Sequence, residues 1–175
     1  MKLGVVMRRF LVPGWFITLV CLWKFHSEVS PKAEVELSPG LRLGQGVVVG
    51  SFTKIKTDGG ILEIGSHTRI ANGCFLDAKQ GGLVIGKDVL IGPNCVLVTS
   101  NYKFDRLGVP LEQQGMTSLG TRIGDNVFIG ANTVVLDGSD IGEDAIITPG
   151  SVVSGKVPPR VIVGGNPAKV IFERR

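Results

Sequence analysis

An aliphatic residue recurs every six positions between Ile123 and Val153 without a slip: Ile123, Ile129, Val135, Ile141, Ile147, Val153. Gly often follows it, as at Gly124, Gly130 and Gly142. A small or β-branched residue stands four places after it: Val127, Thr133, Ser139, Ala145, Ser151, Val157. Such a period fits neither a helix, at about 3.6, nor a long uninterrupted strand, at about 2. A short fixed repeat of this kind indicates a parallel β-helix. Each hexad is then a short strand plus a turn, and three hexads make one triangular coil. Residues one coil apart stack at the sheet spacing of about 4.8 Å, with the aliphatic residues pointing inward.

The ladder reaches upstream of this stretch. It begins weakly at Val29 and Val35, between turn signals at Ser30-Pro31 and Ser38-Pro39-Gly40. It is clear at Leu43, Val49, Ile55, then Ile64, Ile70, Leu76, then Ile85, Ile91, Leu97. Between these triplets the step is nine, so the coils here hold 21 residues instead of 18. The extra residues fall in 57–60 and 79–82, where bulges stacked at one corner would absorb them. From Val98 to Arg122 the hexads stop. A stretch this long without secondary structure of its own, inside a compact fold, is usually functional. Its Tyr102, Phe104, Pro110 and Gln114 argue for order against some surface. After Val153 the ladder is expected to end near Val157-Pro158-Pro159, since proline cannot donate to a sheet. The expected plan is all-β. An apolar N-terminal segment occupies 1–28 and a β-helix 29–157, interrupted by the loop 98–122. Residues 158–175 form a cap over the apolar end.

Length and composition suit one packed domain, with Gly at 25 of 175 residues as a turn-dense solenoid needs. The net charge of +4 collects at the two ends, at Lys2, Arg8, Arg9 and Lys24 and at Arg160, Lys169, Arg174 and Arg175. Solvated surface, an anionic ligand and a membrane surface all fit that excess. No nucleic-acid-binding motif appears. Cys21, Cys74 and Cys95 form an odd, unpatterned set, which indicates neither a disulfide framework nor zinc. Cys74 and Cys95 stand in the small-residue slot of the hexad and read as packing residues. Residues 10–23 are apolar but too short to span a bilayer, which takes about 20. No A-x-A-like cleavage site follows, and Pro13-Gly14 interrupts the segment. Three readings stay open for residues 1–25: an interfacial membrane segment, packing on the solenoid or a neighbouring subunit, and a spanning or secretory segment.

The hexad pattern, the loop SNYKFDRLGVPLEQQG, the run IGDNVFIGANTVVLDG and the closing PGSVVSGKVPP…GGNPAKVI together resemble the hexapeptide-repeat acyltransferases. The resemblance covers residues 29–172 and is strongest to small sugar O-acetyltransferases of surface polysaccharide or glycolipid synthesis. It implies a left-handed β-helix, a hand that runs against the usual crossover rule. It also implies a homotrimer, acetyl-CoA as co-substrate in the groove between solenoids, and a saccharide acceptor. A cytoplasmic setting follows, with peripheral attachment to the inner face of the membrane as a further option. The related γ-class carbonic anhydrases need three zinc-binding His, and this chain has only His26 and His67, so no metal is expected.

The resemblance also locates the expected site. Relatives read N-H-x-F-D in the loop, and that His is the base. This chain reads Asn101-Tyr102-Lys103-Phe104-Asp105, and the aromatic that is often Trp before the next hexad is Phe128. A free phenol is mostly neutral at pH 7, and ionising one there costs about 4 kcal/mol. That is comparable to the benefit of a general base, about 10²–10⁴-fold. The candidate catalytic residues are therefore Tyr102, with Asn101, Asp105 as an alternative base, and His67 reaching in from a partner subunit. A catalytically impaired trimeric scaffold is the alternative reading of the same substitution. Lys156, Arg160 and Lys169 match basic positions suited to CoA phosphates. Gly130, Ala131, Thr148 and Pro149 match the walls of the pantetheine groove, although relatives usually carry Ala at the place of Pro149.

Overall fold

Each hexad folds as a strand of two or three residues with its aliphatic member turned inward and its neighbour turned out. The computed structural model describes residues 12–175. Lys2, Arg8, Arg9 and the first residues of the apolar segment lie outside the described residues. The strands form three parallel sheets that wrap one core, a left-handed parallel β-helix. In sheet A the inward column is Val29, Val49, Ile70, Ile91, Ile129, Ile147, Val163. In sheet B it is Val35, Ile55, Leu76, Leu97, Val135, Val153. In sheet C it is Leu43, Ile64, Ile85, Ile123, Ile141, Val157. All of these are buried.

The small residues of the hexad are buried too, because they sit inside the corners. Thr53 and Thr68 donate their hydroxyls to Ala71 O at 2.7 Å and Gly86 O at 2.8 Å in the next coil. Cys74 and Cys95 fill the same slot, with Sγ 3.2 Å from Gly92 O and 3.1 Å from Gly130 O. Both are free and buried, as their packing role requires. The neighbouring Cys74 sulfur and burial together push the Cys95 thiol up, so it stays protonated.

The corners explain the rest of the repeat. From sheet A to sheet B, Phe52, Gly73, Asn94, Asn132 and Gly150 all have φ between 58° and 73°. From sheet C to sheet A, Gly46, His67, Asp88, Asn126, Asp144 and Arg160 have φ between 55° and 72°. This left-handed region suits Gly, Asn and Asp, the types that fill most of these places. The Gly that follows the aliphatic residue serves a different need. A Cβ at Gly124 would lie 2.7 Å from Glu143 N in the coil above, so the corners stack too closely for a side chain.

The corner from sheet B to sheet C varies. The extra residues of the 21-residue coils lie here, stacked on each other, and a Cβ at Gly60 would run into the Lys79 carbonyl. The long insertion leaves from this same corner, between Val96–Val98 and Thr121–Ile123. The last coil is shortened here instead. Val157 therefore takes the inward aliphatic place beside Ile141 instead of the small slot that its spacing suggests. The ladder also does not end at Pro158-Pro159. Those prolines occupy a corner, where no ladder donor is needed, and Val161–Gly164 adds one more parallel strand to sheet A. Lys169–Glu173 then closes that sheet antiparallel.

At the other end, helix α1 (Gly14–Phe25) lies across the open core. Cys21 is fully buried, Ile17 and Phe25 pack on the core, and Thr18 Oγ1 donates to Val29 O at 2.8 Å. A Cβ at Gly14 would collide with the Pro31 carbonyl, so this glycine permits the close approach. The described part of the apolar segment thus packs one face on the solenoid. No helix among the described residues is long and apolar enough to cross a membrane.

Inward and outward neighbours in one strand should differ sharply in their effect on stability. Ile64→Ala should cost about 2–5 kcal/mol through the cavity it leaves. Glu63→Ala, which loses an exposed pairing with Arg42 at 3.5 Å, should cost no more than about 1 kcal/mol. Urea unfolding followed by far-UV circular dichroism checks both.

Candidate active site

The insertion is stapled at its root before it extends. Ser118 Oγ donates to Thr99 O at 2.6 Å and accepts from Gly81 N at 2.8 Å, which ties both ends of the loop to the coil below. The Asp137 carboxylate accepts from the amides of Leu119 and Gly120, each at 2.9 Å, which ties the return to the coil above. Lys79 pairs with Asp58 at this corner and lies 3.7 Å from Asp77. Burial opposes the Lys79 charge, but these carboxylates outweigh it and raise its pKa. Asp77 Oδ1 is buried here without a hydrogen-bond partner.

Beyond the root the loop forms an arm. Asn101–Tyr102 pairs antiparallel with Met116–Thr117, and Lys103 N donates to Gly115 O at 3.0 Å. A single helical turn, α2 (Leu111–Gln114), follows Pro110 at the tip. Gln114 holds this tip together. Its Oε1 accepts from Arg106 N at 3.0 Å, and its Nε2 donates to Arg106 O at 2.9 Å and Val109 O at 2.8 Å.

The arm carries three of the four candidate catalytic residues. Asn101, Tyr102 and Asp105 lie on it together and are exposed. Tyr102 is 44% exposed, and its hydroxyl has no hydrogen-bond partner among the described residues. The insertion also leaves apolar side chains uncovered: Phe104, Leu107 at 97% exposure, Leu111 and, at its root, Leu119. His67 is elsewhere. It occupies a left-handed position at the corner from sheet C to sheet A, a different edge of the prism. Its ring covers Gly46, where a Cβ would lie 2.8 Å from Cδ2, and Nδ1 is 3.6 Å from Asp88 Oδ1. One chain does not bring His67 to Tyr102. Phe128 faces outward on sheet A, in register with Leu90 and Ile146.

A shallow groove of about 360 Å³ runs beside the arm's return. Gly81, Gly82, Leu119 and Gly120 form its rim, and Val84, Arg122 and Asp140 on sheet C form its floor. Lys156 extends that floor in register with Asp140.

The remaining candidates divide between edges. Gly130, Ala131, Thr148 and Pro149 line the edge from sheet A to sheet B, stacked so closely that a Cβ at Gly130 would lie 2.5 Å from Pro149 N. Lys169 stands at the end of this edge, opposite Gly164. Arg160 is on the edge from sheet C to sheet A, where it pairs with Glu143 at 3.3 Å and Asp144 at 3.7 Å. The close-stacked part of this edge, with Lys169 exposed at its end, suits an extended ligand with an anionic end. The paired Arg160 is less available to it. Asp137 and Ser118 were not expected from sequence, and Gln114 reads there only as a sign of order in the loop. Asp137-Gly138 does carry a signal, as a turn dipeptide at the corner the loop leaves. Among the described residues, no three His, Cys, Asp or Glu side chains form a metal-binding group.

A family model described as bacterial transferase hexapeptide (six repeats) matches residues 120–155. A second, hexapeptide repeat of succinyl-transferase, matches 82–113. The galactoside O-acetyltransferase of Escherichia coli is 37% identical over 92 residues, covering 52% of this chain and 44% of that protein. A probable acetyltransferase of Mycobacterium tuberculosis is 29% identical over 135 residues, covering 77% of this chain and 45% of that one. The chain thus spans a little under half the length of these curated relatives. Among solved structures, the N-acyltransferase AntD of Bacillus cereus, in complex with dTDP and coenzyme A, superposes with TM-score 0.78 at 20% identity. That match covers 90% of this chain and 88% of AntD. The GDP-perosamine N-acetyltransferase of Caulobacter crescentus, in complex with CoA and GDP-perosamine, gives TM-score 0.64 at 28% identity, covering 84% and 57%.

Removing the side chain that ties the arm's tip should loosen the arm alone. Gln114→Ala removes the partner of the Arg106 and Val109 backbone groups, which water can then reach, a loss of about 0.5–1.5 kcal/mol per bond. Hydrogen exchange read by mass spectrometry should speed up within 102–116 and stay unchanged in the three sheets.

Proposed function

The chain belongs to the hexapeptide-repeat acyltransferase family, and we propose that it transfers an acyl group from acyl-CoA to a sugar. The finer form of the proposal is an acetyl-CoA-dependent O-acetyltransferase acting on a hydroxyl of a surface polysaccharide or glycolipid. One observation carries it. The break in the ladder is an ordered arm that carries Asn101, Tyr102 and Asp105 together and exposed, and a groove opens at the root of that arm. The relatives support the reaction class, since they include a galactoside O-acetyltransferase and sugar N-acyltransferases crystallised with CoA.

In the proposed reaction the acceptor hydroxyl oxygen attacks the thioester carbonyl. A C–O bond forms, the hydroxyl proton passes to a base, and a tetrahedral oxyanion results. Its collapse breaks the C–S bond and releases the CoA thiol. Gly130, Ala131, Thr148 and Pro149 line the edge proposed for the pantetheine arm, and Lys169 supplies a cation for phosphate. Tyr102 is assigned the acceptor: its unpartnered hydroxyl is free to hydrogen-bond the attacking oxygen and orient it. Asp105 on the same arm, or His67 from a neighbouring copy, takes the proton. The uncovered Phe104, Leu107, Leu111 and Leu119 favour a trimer in which the arm packs on the next solenoid.

A second reading concerns the acceptor atom. A neutral amine attacks through its lone pair and loses its proton after the C–N bond forms, so it asks less of a base than an alcohol does. The Tyr at the place of the family's His favours an amino sugar on that ground.

Thiol release from acetyl-CoA over a panel of saccharides and nucleotide-linked amino sugars separates these readings. Turnover with hydroxyl acceptors supports the first, and turnover confined to amino acceptors the second. Tyr102→Phe should lower kcat/KM by about tenfold through lost positioning, in line with about 1.4 kcal/mol. A strong loss in His67→Ala with none in Tyr102→Phe would move the proton acceptor to His67. No turnover in the native chain, with activity gained in Tyr102→His, would sink the enzymatic reading and leave a trimeric scaffold.

A further inference from the structure

Helix α1 closes the solenoid with one face and leaves the other without a partner. Gly14, Ile17, Thr18, Cys21 and Phe25 turn toward the first coil. Trp15, Phe16, Leu19, Leu22 and Trp23 form the opposite stripe, with Trp15 60% and Trp23 86% exposed. A helix that is apolar all round belongs in a core or in lipid, and here the solenoid covers only half of it. Closing the prism accounts for the inner stripe. It does not account for five large apolar side chains on the outside.

We propose that the outer face of α1 docks on the interfacial layer of an anionic membrane. Three observations favour lipid over a second copy of the chain. Trp stands near both ends of the stripe, and its ring suits the boundary between headgroups and acyl chains. The segment's charge has one sign in sequence: residues 1–27 carry Lys2, Arg8, Arg9 and Lys24 and no Asp or Glu, and of these Lys24 lies on the described helix. Two such segments would repel each other, while an anionic surface attracts them, at about 1 kcal/mol for each cation near it. The length is also right for lying in the interface, since α1 has 12 residues and a span needs about 20. Lys24 lies 5.0 Å from the Phe25 ring at one end of the helix. Lys32 lies 5.7 Å from the exposed Phe52 ring on the first two coils. The first acid in the chain, Glu28, is exposed on sheet A and lines a hollow there with Thr18 and Leu22, at the edge of the stripe.

The two tryptophans of the chain are both on this stripe, so their fluorescence reports on it directly. The full chain is mixed with vesicles of phosphatidylcholine and phosphatidylserine, and separately with phosphatidylcholine alone. Docking should shift the emission to the blue and sediment the protein with the anionic vesicles, less so at high salt. Trp15→Ser combined with Trp23→Ser should reduce the bound fraction at least about tenfold. Both sites are at the surface, so far-UV circular dichroism and thermal unfolding should match the native chain. Emission and sedimentation unchanged by anionic vesicles overturn the proposal, as does native-like binding by the double variant. Emission that is already blue without lipid, together with a mass that rises with concentration, also overturns it by showing that a second copy covers the stripe.

Discussion

Corner stacking governs this molecule. Hydrogen bonds between coils fix the rise at about 4.8 Å, and every corner must repeat at that rise. Two residues in many of the corners meet the demand. One lacks a side chain, because a Cβ would strike the next coil, as at Gly65, Gly124 and Gly130. The other turns left-handed, as at Asn94, Asn126 and Asn132. The aliphatic interior depends on both. A column such as Ile91, Ile129, Ile147 stays in register only while the corners return each strand to the same place.

That constraint also decides where variation is tolerated. Two corners of each coil hold to the left-handed turn from Gly46 to Arg160. The third takes extra residues at 57–60 and 79–82, a long arm after Val98, and a shortened turn before Lys156. Length changes at one edge leave the other two edges in step. An arm that leaves this edge can carry exposed reactive side chains without disturbing the core, provided its root is tied. Ser118 and Asp137 tie it to the coils below and above. Rigid columns and a stapled arm thus divide the work between scaffold and site.

The columns were legible from spacing alone, down to the inward residues from Leu43 to Val153, because a core has one way to satisfy a period of six. The arm was legible as an interruption and, through family resemblance, as the place of Asn101, Tyr102 and Asp105. Its internal bonds were not. Gln114 reads in sequence as one of two adjacent polar residues, and only the fold of the tip makes it the buried one. The end of the ladder misled for a related reason. Proline is excluded from a strand that must donate, but Pro158 and Pro159 sit at a corner, where nothing is asked of their nitrogens. The three basic candidates also separated. Lys156, Arg160 and Lys169 are close in sequence yet lie on a sheet face and two different edges, since a few residues of a β-helix already turn a corner.

The helix and the arm are linked by this geometry. α1 lies against the first coil, and the arm leaves the fourth, at the strand level of Ile91 and Leu97. Three coil rises separate them, about 14 Å at the sheet spacing. Sheets of this kind neither stretch nor bend over such a distance, so the solenoid acts as a spacer of fixed height. If α1 rests on a lipid surface, the root of the arm is held above it by those three rises plus the thickness of the helix, about 10 Å more, at the scale of a sugar displayed on a lipid and away from the headgroups themselves. The same stacked corners that bury Ile64 and Ile129 would then also set the distance between the surface and the reacting sugar.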